Sequence, residues 1–365
     1  MSAHTSSRSS RARLNETSVA AVVTISDSRT ARCSEPLNKI IRSSAHINIR
    51  LATNLTVDDH LEQRTRRFEV SSAVSSSSQP IEMVYYTENY AKSNALYALS
   101  NYDNSHRGAL EHCSLEAPVK ELFAGILLQR SKSELVVDGG MNAGFYSILS
   151  ALYGHQVIAF DMQSGCFEHS LPLLIANNIE DRVHVMFCGL SSEFRGDVAV
   201  GAESCSGGYS VRRPSHLSKE NHTFVDALDH MISPDCAEFA LVKLDIEGSE
   251  LLALEGMTGH LQAGNVKNII MEINPWFMKA QGSKLDDAIA WFDRLTGEYG
   301  FELFHLYSWA SDKLNANVLV EVATHPLGLM DVCQTRLHRV VDNARYLKAY
   351  RRPLAYNVWF RLISQ

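Results

Sequence analysis

Short apolar runs rich in β-branched residues alternate with helical patterns from residue 134 to the C-terminus, and this alternation restricts the possible folds most. Strands that alternate with helices of this length form parallel β-α-β units, with helices covering both faces of one sheet. The seven predicted strands lie near Glu134–Asp138, Gln156–Asp161, Val183–Cys188, Ala240–Asp245, Asn268–Glu272, Phe301–Leu306 and Asn357–Leu362. The helical patterns fall at about 144–153, 165–178, 249–262 and 285–299. The sequence therefore predicts an α/β fold with a doubly wound, mostly parallel sheet.

The part of the chain before this alternation has a different composition. Residues 1–80 are rich in Ser, Thr and Arg and end in a polar run from Ser71 to Pro80, which is typical of a flexible linker. We expect residues 1–80 to be a low-complexity, disordered N-terminal extension. Residues 81–130 are expected to form a helical lead-in, with an amphipathic helix over 110–129, and residues 131–365 the main domain.

Composition limits the partners and the compartment. A net charge of −7 gives no electrostatic reason to expect a nucleic acid or an anionic membrane as partner. No apolar run approaches the roughly 20 residues that span a bilayer. The seven scattered cysteines fit reduced thiols better than a disulfide framework, which predicts a cytoplasmic protein. Residues 1–14 contain Ser and Arg but no acid, so an organellar transit segment is the alternative to a disordered tail.

A glycine-rich loop follows the first predicted strand and precedes a helical pattern. It contains Asp138-Gly139-Gly140 and ends at Gly144, and glycines let backbone amides approach a ligand closely. The spacing is neither that of a phosphate-binding P-loop nor G-x-G-x-x-G. An acid directly before the glycines suits a cationic ligand end, whereas a pyrophosphate would be repelled there.

The second strand ends in another acid. Asp161 lies about 20 residues after Asp138, where a carboxylate can accept both hydroxyls of a ribose. The alternative is that Asp161 caps the helix that begins near Gly165. Together with the glycine loop, Asp161 predicts a ligand that contains a nucleoside.

The fourth strand leads into a string of charged residues from Lys243 to Glu250. In a doubly wound sheet this strand lies beside the first one at the topological switch point, so Asp245 is expected to face the same crevice as Asp138. Glu247 and Glu250 open the following helix, where the helix dipole alone favours acids. Lys243 inside a central strand is costly unless paired, which favours a structural bridge to an acid over substrate contact.

At these motifs the sequence resembles the FkbM-type methyltransferases. Four blocks carry the resemblance: Val137–Ser147, Val157–Asp161, Val225–Asp229 and Val242–Glu250. The resemblance implies a class I methyltransferase sheet whose last strand, at Asn357-Val358-Trp359-Phe360, runs antiparallel. It also implies S-adenosylmethionine as cofactor and O-methyl transfer to a hydroxyl of a small molecule, sugar or glycan.

The expected cofactor contacts follow from the resemblance and the loop together. They are Asp138, Gly139, Gly140, Asn142, Gly144, Phe145, Asp161, Met162 and Asp245. The family usually has Glu-Pro after the second strand, where this chain has Asp161-Met162, so the acid has a shorter reach. Asp245 is the predicted catalytic residue, as acceptor of the hydroxyl proton or by orienting the methionine end of the cofactor.

Several other residues have both a functional and a structural interpretation. No metal site is predicted; the alternative is an oxygen site of Asp245, Glu272 and Asn274 at the ends of strands four and five. Gly207-Gly208-Tyr209-Ser210 is a pocket-lining segment or a surface loop. His305 is a structural histidine rather than a base. Trp276, Trp309 and Trp359 are expected in the core or at the rim.

Two other functions remain open from the sequence. A nicotinamide-dependent oxidoreductase also needs a glycine loop and a ribose-binding acid, although the acid-first loop argues against it. A non-catalytic protein that binds a nucleoside cofactor is the other alternative, kept open by the substituted Asp161-Met162 pair.

Overall fold

The structure is a computed structural model that describes residues 46–47, 65–70, 81–86, 117–199, 205, 222–306, 320–322, 337–349 and 356–363. The strands are β1 His46–Ile47, β2 Thr65–Val70, β3 Ile81–Tyr86, β4 Leu135–Gly139, β5 Val157–Asp161, β6 Val183–Phe187, β7 Gly189–Leu190, β8 Arg195–Ala199, β9 His222–Asp226, β10 Phe239–Leu244, β11 Asn268–Ile273, β12 Phe301–Leu306, β13 Val320–Val322, β14 His338–Val340 and β15 Tyr356–Leu362. The helices are α1 Ala117–Gln129, α2 Phe145–Leu152, α3 Ser164–Ala176, α4 Leu228–Met231, α5 Glu250–Glu255, α6 Thr258–Gln262, α7 Pro275–Ala280, α8 Leu285–Asp293 and α9 Asn343–Ala349.

One mixed sheet organises the described residues, in the order β1-β6-β5-β4-β10-β11-β15-β12-β14-β13. The strands from β6 to β11 are parallel, and β15 lies antiparallel between β11 and β12. The seven predicted strands are its central strands, and the predicted last strand is the antiparallel one. This confirms the doubly wound fold of the class I methyltransferase type.

The order in which successive strands join the sheet reverses at β4. β5 and β6 continue on one side of β4, whereas β10 and β11 lie on the other side. The crevice between the carboxyl ends of β4 and β10 is therefore a topological switch point, where doubly wound sheets bind ligands.

Successive side chains of the strands point to opposite faces of the sheet, and each face has its own hydrophobic core. Val136, Leu241 and Ile270 lie on the face covered by α1, α2 and α3. Their neighbours Val137 and Val242 lie on the opposite face, with α5, α6 and α8. Because side chains alternate along a strand, Asp138, Lys243 and Glu272 belong to the face of α1 and α2.

Several elements differ from the sequence prediction. The segment 81–130 does not begin as a helix, because Ile81–Tyr86 forms β3, paired with β2. Its residues Ile, Val and Tyr favour a strand. The described helix starts at Ala117; residues 87–116 lie outside the described residues, as does most of 1–80, so the disorder expected there stays a prediction. His46–Ile47 nevertheless adds an edge strand to β6.

The helical patterns at 249–262 and 285–299 each have an irregularity. The first is divided into α5 and α6 around Gly256, where a Cβ atom would lie 1.9 Å from the Ser191 carbonyl oxygen. The second is α8 followed by a π-helical turn at Arg294–Glu298. Among the described residues no helix is long and apolar enough to cross a membrane.

Candidate active site

The glycine loop is clamped between the strands on either side of it. The amides of Gly140 and Met141 both donate to the Phe160 carbonyl oxygen at 2.9 Å, at the end of β5. Gly140 has a φ of +76°, and a Cβ atom there would lie 2.0 Å from the Asp245 carbonyl oxygen. Only glycine fits at this point, because backbone from β10 occupies the space of a side chain.

Asp138 lies under this loop and is completely buried. Its Oδ2 accepts a hydrogen bond of 2.6 Å from the Ser147 hydroxyl of α2. Its Oδ1 has no hydrogen-bond partner among the described residues, and Lys243 Nζ lies 3.9 Å away. Burial raises the pKa of Asp138, and the charge of Lys243 and the Ser147 hydrogen bond oppose that rise.

Lys243 joins the acids of β4 and β10. Its ammonium donates to Asp245 Oδ2 at 3.1 Å and lies 4.9 Å from the centre of the Tyr146 ring. The lysine side chain is 5% exposed and that of Asp245 is 32% exposed. The prediction of a structural bridge for Lys243 is confirmed, and Asp245 lies at the mouth of the crevice with Asp138 below it.

Asp161 holds the glycine loop to the end of β5. Its Oδ2 accepts from the Asn142 amide and its Oδ1 from the Gln163 amide, both at 2.9 Å. The N-cap of α3 is Gln163, so Asp161 is not the cap of that helix. Burial raises the pKa of Asp161 to about 6. The Met162 backbone also acts on this carboxylate, which can accept about four hydrogen bonds in all.

The remaining predicted contacts lie around the same loop. Gly139 ends β4 and Gly144, with a φ of +85°, is the N-cap of α2. Phe145 is buried and packs edge-on against Tyr146. Met162 packs against Gly189, where a Cβ atom would lie 2.6 Å from its sulfur.

Glu250 binds the loop that precedes its own helix. Its Oε1 accepts from the amides of Ile246 and Gly248, both at 3.1 Å, and its Oε2 has no hydrogen-bond partner within the part of the chain that the structure describes. The side chain is 1% exposed, and burial raises its pKa to about 8. Glu250 therefore has a structural role in shaping the loop that carries Asp245.

Glu250→Gln is expected to make the protein more stable than wild type at about pH 9 and equally stable at about pH 5. The folded state holds the Glu250 proton more tightly than an ordinary glutamate of pKa 4.5, so folding stability falls as pH rises from 4.5 to about 8. Glutamine keeps an oxygen for the two amides and cannot ionise. Urea unfolding at both pH values measures the effect, with exposed Glu255→Gln as control. A difference from wild type that does not change with pH would contradict it.

In the oxygen site considered at Asp245, Glu272 and Asn274, the asparagine side chain also has a structural role. Asn274 Oδ1 accepts from the amides of Trp276 and Phe277 as the N-cap of α7. Glu272 is half-buried, and its pKa is raised well above the usual value, first by burial and then by the neighbouring acids. Within the described part of the chain, no group of three His, Cys, Asp or Glu side chains is placed to hold a metal.

Other predicted residues lie away from the crevice. His305 is buried, its Nδ1 lies 2.6 Å from the Tyr346 hydroxyl oxygen, and burial lowers its pKa to about 3. Trp359 is buried and donates to Asn268, whereas Trp276 is exposed on α7. Gly207–Ser210 and Trp309 lie outside the described residues.

The expectation of reduced thiols is wrong for at least three cysteines. Cys166 of α3 forms a disulfide with Cys205, and Cys236 is also disulfide-bonded. Cys166 and Cys205 are 39 positions apart, so only the fold brings them together. Cys188 is free and buried. Because disulfides are typical of oxidising compartments, the cytoplasmic location stays a prediction that these bonds argue against.

The sequence also missed Ser147 and Tyr146, which contact Asp138 and Lys243. Both follow the glycine loop in the first turn of α2, and the direction of that helix decides which of its side chains face β4. In the sequence, the only indication of a polar partner was Asp138 itself, an acid at the end of an apolar strand.

The comparisons with known proteins include solved structures and a family model. No curated protein matches the chain. An rRNA methylase from Streptococcus thermophilus is 13% identical, with a TM-score of 0.33, covering 68% of this chain and 97% of its own. A precorrin-6y C5,15-methyltransferase from Geobacter metallireducens is 10% identical, with a TM-score of 0.29, and the match covers 66% of this chain and 87% of that protein. A SAM-dependent O-methyltransferase from Thermotoga maritima is 12% identical, with a TM-score of 0.30, and the match covers 68% of this chain and 66% of that protein.

The family model described as the methyltransferase FkbM domain matches residues 151–303. The match begins inside α2, after the glycine loop, and includes Asp161, Lys243, Asp245 and Glu272. Residues 151–303 of the chain are therefore similar to the methyltransferase FkbM domain.

Proposed function

We propose that the chain is an S-adenosylmethionine-dependent methyltransferase that acts on a hydroxyl of a small molecule, sugar or glycan. The observation that carries this proposal is the arrangement of Asp138, Lys243 and Asp245 at the switch point, directly beside the glycine loop. It lies at the carboxyl ends of β4 and β10, where this fold binds ligands.

The residues of the crevice fit the cofactor. Asp138 Oδ1 is buried and has no hydrogen-bond partner in the described ranges, and Asp245 is partly exposed beside it. Two carboxylates and one lysine leave an excess of negative charge, which suits the ammonium and sulfonium of S-adenosylmethionine. Gly140 leaves backbone as the wall of the crevice, so a ligand can approach closely.

Each residue then has a role in binding. Asp245 would orient the methionine end, and Asp138 would support Asp245 through Lys243. Asp161 would accept a hydrogen bond from the ribose hydroxyls. Met162 would line the nucleoside side of the site, and Asn142 and Phe145 hold the glycine loop in place.

The protein mainly has to align donor and acceptor for an in-line displacement. When bound, S-adenosylmethionine supplies a methyl group on a positively charged sulfur. The chain contributes the rigid loop at Gly140 and a crevice that orients the donor. The acids near the crevice mouth, together with the net charge of −7, favour an uncharged acceptor over a nucleic acid.

Transfer of labelled methyl groups tests this proposal. The full chain is incubated with methyl-labelled S-adenosylmethionine and separate sugars, lipids, phenols and RNA, and label is counted in each acceptor. We expect label in a hydroxyl compound and none in RNA. Label in RNA alone would contradict the proposed acceptor class but not methyl transfer.

Asp245→Asn is expected to weaken S-adenosylhomocysteine binding. Loss of turnover with unchanged binding would instead make Asp245 the acceptor of the hydroxyl proton.

A further inference from the structure

Glu272 lies one strand beyond Asp245 on the same face of the sheet. β10 and β11 are parallel with Leu244 opposite Met271, so the next residues on the two strands, Asp245 and Glu272, are neighbours. Glu272 shares the face of Ile270, which is the face of α1 and α2. It therefore borders the crevice on the side away from the glycine loop, where an acceptor would approach the methyl group.

Four other acids of this region already accept hydrogen bonds. Asp138 accepts from Ser147, Asp161 and Glu250 accept from backbone amides, and Asp245 accepts from Lys243. The Glu272 side chain, in contrast, forms no hydrogen bond or ion pair with a residue that the structure describes, although the charge of Lys243 acts on it. A half-buried carboxylate without a structural partner at a ligand-binding edge is a candidate for function.

The charges around Glu272 favour proton uptake. Burial raises its pKa most, and the acids Asp245, Glu247 and Glu250 of the neighbouring loop raise it further. Lys243 of β10 lowers it. A carboxylate that binds a proton more readily than usual is better suited to accept one near neutral pH.

We propose that Glu272 is the catalytic base that accepts the proton of the acceptor hydroxyl. This inference rests on the proposed methyltransferase function. The hydroxyl oxygen forms a bond to the methyl carbon while the carbon–sulfur bond breaks, and that electron pair stays on sulfur, which becomes a neutral thioether. The hydroxyl proton passes to the Glu272 carboxylate and then to solvent.

Asp245 is less suited to this step. Its Oδ2 is held by the Lys243 ammonium at 3.1 Å. Its position next to Asp138 and Gly140 suits cofactor binding instead. In this proposal Asp245 binds the methyl donor, and Glu272 accepts the proton of the acceptor hydroxyl.

The test is Glu272→Gln, assayed with the acceptor that the labelled-methyl screen identifies. We expect kcat to fall about 100-fold or more, the S-adenosylhomocysteine Kd to stay within about twofold of wild type, and the acidic limb of the pH–rate profile to disappear. Glu302→Gln is the matched control, because Glu302 lies at the start of β12, away from the carboxyl ends of the strands, and pairs with Arg361 and Arg339.

Each outcome decides a separate point. Unchanged kcat in Glu272→Gln, or an equal loss of S-adenosylhomocysteine affinity and kcat, would overturn the role of Glu272. If that variant does not fold, Glu272→Asp decides: a lower kcat with the acidic limb retained supports the base, and an unchanged kcat contradicts it. A wild-type chain that neither binds S-adenosylhomocysteine nor transfers methyl groups would overturn the proposed function, and the base with it.

Discussion

Gly140→Ala is expected to lower the free energy of unfolding by about 3 kcal/mol or more and to abolish S-adenosylhomocysteine binding. The φ of +76° alone costs an alanine about 1–2 kcal/mol. The added Cβ would lie 2.0 Å from the Asp245 carbonyl oxygen, and relieving such an overlap adds about 1–3 kcal/mol. The relief must move either the glycine loop or the loop of Asp245, and both line the crevice. Urea unfolding and calorimetric titration measure the two effects.

Gly264→Ala separates backbone strain from overlap. Gly264 also has a positive φ, +68°, but a Cβ atom there has no neighbour within 4 Å. We expect this control to lose only about 1 kcal/mol and to bind S-adenosylhomocysteine like wild type. Equal losses in the two variants would show that the contact between Gly140 and Asp245 does not constrain the site.

Lys243→Met is expected to destabilise the protein by about 3–5 kcal/mol and to weaken S-adenosylhomocysteine binding strongly. Removing one partner of a buried ion pair leaves an uncompensated charge, which is more costly than the pair itself is stabilising. Here Asp138, completely buried, would keep only the Ser147 hydrogen bond, and Asp245 would lose its 3.1 Å partner. Part of this loss should be recovered in the double variant Lys243→Met, Asp138→Asn.

Lys267→Met is the matched control for this substitution. Lys267 is 24% exposed, and its ion-pair partner Glu238 is 59% exposed. Exposed pairs contribute about 0–1 kcal/mol, so the control should stay within about 1 kcal/mol of wild type. If both lysine variants lost the same stability, the bridge between β4 and β10 would not be the buried anchor described here.

The strand pattern predicted the sheet because parallel strands buried on both faces have near-continuous apolar sequences, as in Val157–Phe160 and Leu241–Val242. The site acids Asp138, Asp161 and Asp245 were predictable because each ends such a strand. The small sheet β7-β9-β8 was not predicted, since β7 has only two residues and its pairing depends on distant Val225 and Asp226.

The sequence alone did not predict which side chains of the helices contact the strands. The hydrogen bond from Ser147 to Asp138 and the disulfide from Cys166 to Cys205 depend on how α2 and α3 pack on the sheet. The place of Glu272 next to Asp245 needed the register of β10 and β11, which strand periodicity alone does not fix.

Titration of the full chain with S-adenosylhomocysteine, and separately with NAD, tests the central claim that the crevice between β4 and β10 binds S-adenosylmethionine. We expect saturable binding of S-adenosylhomocysteine, weakened about tenfold or more by Asp161→Asn, because asparagine offers one acceptor oxygen where the carboxylate offers two. NAD should give no response. Binding of NAD without any response to S-adenosylhomocysteine would contradict this account of the site.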